Sequence, residues 1–463
     1  MSATAAPTDL VVENGRVLSI EGGRARLVAA DVVIAAGRVR ALIPRGARAT
    51  PHDRRTRLDA AECIVVPGLV NAHTHSPEML ARGRAERARF GAWMSAVWAD
   101  LDDLSPQRAR LAVLLGAAEM IGTGVTGVVD HLRRFPMTES VLEAVVDAYS
   151  DTGMAACVPV MLRDAADATG RMVDAPHLSA LPSAERQIAI VLEARARAAR
   201  RGVRLGLGPS APHRCSDDLL ARVGIAAARD GLPVHTHVDE TSEIAAAAHR
   251  RFGRSTVAHL EETGLLTENT ALAHCVAVSA RDAERIAVHE SVVVHNPVAN
   301  MRLGSGTCPV PDLLRAGAAI ALGTDGAASN DGQNLWETLK LAALLPRGPD
   351  TDPDDWPTSA AVFQMATAAG QRVLREPAEH ALAGRIVPGA PADLAVFDDD
   401  PDGMDEDTVA VRLVLGGTGR RARHVVAGGR ILLENGRSTT IDVDAIRAAL
   451  GDTRMLAGQE TCA

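Results

Sequence analysis

Two histidines one residue apart, His73 and His75, close the stretch Val66-Pro67-Gly68-Leu69-Val70-Asn71-Ala72-His73-Thr74-His75, just past the apolar run Ile64-Val65-Val66. In extended backbone, side chains two residues apart point to the same face, so a single strand can aim two imidazoles at one cation. In a chain with 15 histidines the same pair also reads as a hydrogen-bonded loop. The rest of the sequence adds to the metal reading. A short apolar run leads into histidine and carboxylate in Leu232-Pro233-Val234-His235-Thr236-His237-Val238-Asp239-Glu240. The same happens in Leu272-Ala273-His274-Cys275 and in Ala321-Leu322-Gly323-Thr324-Asp325-Gly326. Four polar constellations thus follow four β-like runs.

One architecture brings such distant segments together. In a (β/α)8 barrel the strand ends and loops of the carboxyl face converge, so a site draws residues from several strands. Eight strand-like runs can be read at 64–71, 124–130, 155–162, 203–208, 232–237, 270–275, 290–295 and 318–324. Segments with helical apolar spacing lie between them, among them 108–121, 184–201 and 217–230. Strictly alternating strands and helices imply a parallel sheet, and eight units imply closure.

The chain ends have a different texture. Leu10-Val11-Val12, Arg16-Val17-Leu18, Val32-Val33-Ile34 and Val39-Arg40-Ala41-Leu42 are short β-like pieces punctuated by Asn14-Gly15, Gly22-Gly23 and Gly37. The pattern returns in Asp393–Phe397, His424–Gly429 and Arg430–Leu433. The expected organisation is a composite β-sandwich from residues 1–66 and 385–463 around a catalytic barrel spanning 67–384. The Pro- and Asp-rich segment 347–356 reads as a loop.

Composition narrows the function classes. With 463 residues, 47% hydrophobic and 23% charged, the chain can bury a large core. No apolar run approaches the roughly 20 residues of a membrane helix, and the first residues do not read as a secretory signal. A net charge of −9 argues against nucleic acid as a partner. Six scattered cysteines without a Cys-x-x-Cys pair suit free, inert core thiols in a reducing cytoplasm.

Five segments in order carry a resemblance: Pro67–His75, His235-Thr236-His237-Val238-Asp239-Glu240, Ala273-His274, His295-Asn296-Pro297 and Gly323–Asp331. Together they resemble the amidohydrolase superfamily, and within it the branch of cytosine, guanine and S-adenosylhomocysteine deaminases and triazine hydrolases. Gly384–Leu394 is similar to that family's return into the sandwich. The resemblance implies that His73, His75, His237 and Asp325 hold one divalent metal, Zn2+ in most of this branch with Fe2+ and Mn2+ as alternatives. Three nitrogens and a carboxylate leave a position for water, the pattern of a catalytic zinc. His274 would orient that water, Asp325 would take its proton, and Glu240 would protonate a ring nitrogen. Some relatives bridge two metals with a carboxylated lysine. The single lysine here, Lys340, lies after Asp325, which favours a mononuclear site.

The resemblance also implies a planar, nitrogen-rich small-molecule substrate and a homodimer or larger assembly. Glu78 stands where relatives carry Glu or Gln and could accept from a ring N–H, although a salt bridge to Arg82 or Arg84 is the ordinary alternative. Trp93 is similar to the family's pocket tryptophan. His213, His131 and Arg133 are further substrate-binding candidates, and His235 reads as a buried support on the face of His237. The leading expectation is a deaminase acting on a purine, pterin, pyrimidine or triazine-like ring. Displacement of chloride or alkylamine from a triazine, and cyclic amide hydrolysis, are the enzymatic alternatives; a metal-free scaffold relative is the non-enzymatic one.

Overall fold

The computed structural model describes residues 9–45, 55–101, 104–166 and 181–460. Eight strands form a ladder in chain order: β1 (Leu69–Thr74), β2 (Val125–Asp130), β3 (Ala155–Leu162), β4 (Val203–Pro209), β5 (Val234–Val238), β6 (Thr270–His274), β7 (Val292–His295) and β8 (Ala319–Leu322). Each neighbouring pair from β1 to β8 is parallel. All residues of β1 and β2 are buried, as expected for strands covered on both faces.

Local chemistry sets where the connecting helices begin and end. Ser105, Thr138, Ser183 and Ser216 each accept a backbone N–H of the first turn, which caps the helices Pro106–Gly122, Glu139–Thr152, Ala184–Arg200 and Asp217–Asp230. Gly153 and Gly231 end two of them in the left-handed region, where glycine has no Cβ penalty. Sharp helix ends return each strand to the same rim.

The run 64–71, expected as one strand, is two. Cys63–Pro67 pairs with Leu394–Asp398 and Arg16–Glu21, whereas Leu69–Thr74 opens the barrel. Pro67 has no N–H to donate, and the Gly68 N–H turns to the Asp393 carbonyl at 3.0 Å. A Cβ on Gly68 would stand 2.2 Å from Thr126 Oγ1, so only glycine fits the step between sheets.

Strands from both chain ends form one curled sheet, ten-stranded among the described residues. Its two halves are continuous through the twelve-residue strand Arg24–Ala35, which pairs first with Arg16–Glu21 and then with Leu10–Glu13 and Arg38–Pro44. Leu10, Val32, Ile34, Val65, Leu394 and Val426 share its interior. Fully buried Trp336 ties this sheet to the barrel: its indole N–H donates to the Thr123 carbonyl at 3.0 Å, and its ring meets Phe397 edge-on at 5.3 Å.

The barrel closes where β8 returns to β1. Asp325 N–H donates to the His73 carbonyl at 2.9 Å, and Thr324 N–H to Asn71 Oδ1 at 3.0 Å. A Cβ on Gly323 would lie 2.4 Å from Asn296 Oδ1 and 2.7 Å from His73 Cβ. Gly323→Ala should therefore force this seam apart and lower stability by about 1–3 kcal/mol, the usual scale of overpacking. Urea unfolding checks it, and an unchanged midpoint would show that the seam has slack.

Candidate active site

The polar residues singled out by spacing gather at the carboxyl rim. His73 lies in β1 and His75 just beyond it; His237 is in β5, His274 ends β6, and Glu240 and Asp325 follow β5 and β8. All are buried except His237, which is slightly more open.

Hydrogen bonds define the imidazoles' outward faces. His75 Nδ1 lies 2.7 Å from the His131 carbonyl and His237 Nδ1 lies 2.5 Å from the Ser210 carbonyl. A carbonyl can only accept, so each Nδ1 carries a proton and each Nε2 is left for the centre. Those two Nε2 atoms face one another at 3.2 Å. Asp325 Oδ1 completes the group, 3.2 Å from His73 Nε2 and 3.4 Å from His75 Nε2. His73 Nε2 is buried with no hydrogen-bond partner among the described residues. Burial, then the neighbouring imidazoles, depress the His73 and His237 pKa values well below the usual range, which keeps both rings neutral.

Three imidazole nitrogens and a carboxylate oxygen thus crowd one buried space. A tetrahedral ion with bonds of about 2.0–2.1 Å has ligand-to-ligand edges of about 3.3–3.4 Å, close to the separations found. The donor set fits a divalent metal held by His73, His75, His237 and Asp325.

The surroundings hold these groups in place. Asp325 Oδ2 accepts from Ser329 Oγ at 3.0 Å, leaving Oδ1 for the centre. His73 Nδ1 meets His235 Nε2 at 2.8 Å, so His235 backs the first ligand from within the barrel. His274 Nδ1 donates to Asn300 Oδ1 at 2.8 Å and turns Nε2 toward Glu240 Oε2, 3.9 Å away. His274 and Asp325 both occupy the left-handed region, at φ +73° and +62°. For residues with a Cβ such backbone costs on the order of 1–3 kcal/mol and gathers at functional sites.

The carboxylates are tuned apart. Burial would push the Asp325 carboxyl up, but the imidazoles beside it, His274 first and then His75, outweigh it and hold it below the ordinary range. Burial pushes Glu240 up to about 7; Asp325 adds to this, while His274 and Arg214 oppose it. Burial, then Asp325, drives Glu78 well above the usual range against the pull of Arg133. Glu78 Oε2 packs against Gly326, and the expected alternative of a bridge to Arg82 is not what forms. Arg82 instead pairs with Glu119.

The remaining substrate-side candidates lie around this centre. Trp93 packs with Met94, Val97 and Trp98, and its N–H donates to the Ala328 carbonyl at 3.1 Å, three residues past Asp325. The His131 ring lies 4.8 Å from that of His237 and is held by the Gly208 carbonyl at 3.1 Å. His213 is buried in the turn after β4, and its carbonyl accepts from Arg251 at 2.8 Å. Arg133 stacks over Trp98 at 4.3 Å.

Sequence reasoning missed Arg163 and Arg214, both buried, which approach the same Trp98 ring at 5.6 and 5.8 Å. Their position directly after β3 and in the turn after β4 was the available signal. It also missed Asn300 behind His274. His289 pairs with Glu261 at 2.9 Å, away from the centre, and His295 is buried without a ring-nitrogen partner among the described residues. The five described cysteines are free and buried; Cys462 lies outside the described residues.

Comparison with known proteins agrees with this geometry. The amidohydrolase family model matches residues 64–432. A 5-methylthioadenosine/S-adenosylhomocysteine deaminase of Syntrophobacter fumaroxidans is 33% identical over 449 residues, 95% of this chain and 96% of the relative. A 5'-deoxyadenosine deaminase of Methanosarcina mazei is 31% identical over 94% of this chain and 95% of its own length. Among solved structures, a triazine hydrolase from Arthrobacter aurescens superposes with a TM-score of 0.85 at 25% identity, covering 96% of this chain and 99% of the other. An adenosine deaminase from Xanthomonas campestris with bound zinc gives 0.84 at 25% identity, over 97% and 98%. No helix among the described residues is long and apolar enough to cross a membrane. With barrel, rim histidines and family model in agreement over most of its length, the chain belongs to the amidohydrolase family and is a hydrolase of non-peptide carbon–nitrogen bonds.

Proposed function

We propose that this protein is a zinc-dependent deaminase that releases ammonia from the exocyclic amino group of a purine, with a 6-aminopurine nucleoside as the substrate class. The observation that carries the metal-dependent part is the approach of His75 Nε2 and His237 Nε2 to 3.2 Å, with each ring's Nδ1 turned to a carbonyl. The substrate class is supported by relatives named as deaminases of adenosine derivatives.

His73, His75, His237 and Asp325 would hold the ion, which when bound lowers the pKa of water from 15.7 to about 7. Asp325, held by Ser329, would accept the water's proton, and His274, its ring fixed by Asn300, would orient the water. Glu240, with a pKa near 7, can give and take a proton at neutral pH. It protonates the ring nitrogen as the water oxygen bonds to the amino-bearing carbon. The proton gathered from water then passes to the amino group, the carbon–nitrogen bond breaks with its electron pair leaving on ammonia, and the remaining hydroxyl proton returns to Glu240 as the carbonyl forms. In this reading Glu78 accepts from the ring, Trp93 supplies an apolar wall, and Arg133, His131 and His213 border the pocket. A buried acid favours an amine over chloride as leaving group, because chloride departs without a proton.

An ammonia-release assay across aminopurine nucleosides, aminopyrimidines, pterins and aminotriazines, with chloride release from chlorotriazines in parallel, tests the reading. Turnover is expected with a 6-aminopurine nucleoside; chloride release without ammonia release would overturn it. Asp325→Ala should lose both turnover and most bound metal, and a fully loaded, active variant would remove Asp325 from the ligand set.

Glu240→Gln should keep its metal while turnover falls at least about 10²-fold. It should also change pH-dependent stability in a definite direction. A carboxyl raised from 4.5 to about 7 makes the folded protein bind more protons than the unfolded chain, so wild type loses stability as pH rises through that window. Metal-free Glu240→Gln should therefore gain on wild type between about pH 4.5 and 8, by at most ~3 kcal/mol. Parallel denaturation curves at the two pH values would contradict this.

A further inference from the structure

The chain contains one tyrosine, Tyr149, and it is buried beneath the rim in the helix Glu139–Thr152. Its hydroxyl donates to Asp130 Oδ2 at 2.9 Å. Asp130 is the last residue of β2, is itself buried, and accepts the backbone N–H of Ser76 on Oδ1 at 2.9 Å. Ser76 directly follows His75.

The ladder between β1 and β2 explains why this link matters. Its register shifts between Asn71 and Thr74, so β1 leaves its partner at the position of His73 and pairs again only at Thr74 with Asp130. Irregularities of this kind re-aim side chains, and the strand beyond them needs another hold. Three bonds supply it: His131 N–H to the Thr74 carbonyl at 2.9 Å, His75 Nδ1–H to the His131 carbonyl at 2.7 Å, and Ser76 N–H to the Asp130 carboxylate. The first joins backbone to backbone, and the second ties the His75 ring to the His131 backbone. The third is made by the Asp130 carboxylate, whose other oxygen is gripped by a helix of the outer layer.

We infer that Asp130 and Tyr149 are positioning residues that fix His75 in its ligating orientation, through the chain Tyr149 hydroxyl, Asp130 carboxylate, Ser76 amide. The inference rests on the proposed ligand set and goes beyond it, since neither residue reaches the ion. Groups that orient a metal-bound histidine typically change affinity by about 10–100-fold when removed. The same carboxylate accepts the first N–H of the turn Ser76–Leu80, which carries Glu78, so the link also sets the height of that side chain.

The test is Zn2+ affinity of the metal-free protein, measured by competition with a chromophoric chelator. Tyr149→Phe should weaken binding by about 10-fold, and Asp130→Ala by up to about 100-fold. Asp130→Asn should recover most of the affinity, because its amide oxygen still accepts from Ser76 and its NH2 can donate to the phenol oxygen. In a His75→Ala background, Tyr149→Phe should change nothing further, which a merely destabilising substitution would not do. Wild-type affinity in Tyr149→Phe while His75→Ala is impaired overturns the inference alone. So does an equal loss in both backgrounds. Wild-type affinity in His75→Ala removes the ligand set and the inference together. Should Asp130→Ala fail to fold, Tyr149→Phe and Asp130→Asn still decide the outcome.

Discussion

Crowding neutral nitrogen lone pairs and a carboxylate into a buried space is unfavourable without a cation, and the rest of the molecule is arranged to enforce it. Asp325 Oδ1 stands 3.2 and 3.4 Å from two imidazole nitrogens, and two such nitrogens face each other at 3.2 Å. Nothing local to any one strand would hold them there. The arrangement persists because each ring's other nitrogen is tied to a carbonyl or a second side chain, supplied from the ends of adjacent strands for His75 and His237 and from β5, across the barrel, for His73. A divalent cation bound among these groups would relieve a crowding that the fold has already imposed.

The barrel is the means of imposing it. Parallel strands present their carboxyl ends at one rim, and the seam between β8 and β1 sets Asp325 against the histidines of β1. Left-handed backbone at His274 and Asp325 turns those side chains inward where each strand ends. The surroundings then displace the two carboxyl groups in opposite directions. Asp325 stays ionised among imidazoles, whereas Glu240, farther from them, retains a proton near neutrality. Such opposite displacements are how one pocket offers an acid and a base together.

Much of the fold was legible because period and punctuation are local. Strand runs ending in His73, His237, His274 and Asp325 stood out since apolar β-like stretches rarely end in metal-binding side chains. What was not legible depended on partners distant in sequence. The run 64–71 looked continuous because hydrophobicity does not record a change of sheet; the change lies in the missing amide of Pro67 and the missing side chain of Gly68. Arg163 and Arg214 were hidden by abundance, being two of 48 arginines in the chain. The Tyr149–Asp130–Ser76 link joins residues 19 and 54 positions apart, and no periodicity marks it. The pairing of the two chain ends was suggested by shared texture, but the strand Arg24–Ala35 that makes their sheet continuous carries no signature of its double role.

The step from one sheet to the other at Pro67–Gly68 also bears on how the polypeptide reaches this state. The strand that leads into β1 is completed by Leu394–Asp398, and Cys63 and Asp398, partners in that ladder, are 335 positions apart. Closing so long a loop is entropically costly and slow, and it must wait until nearly the whole chain has left the ribosome. The segment bearing His73 and His75 is therefore made early, but the strand leading into it gains its partner only once Leu394–Asp398 has been made.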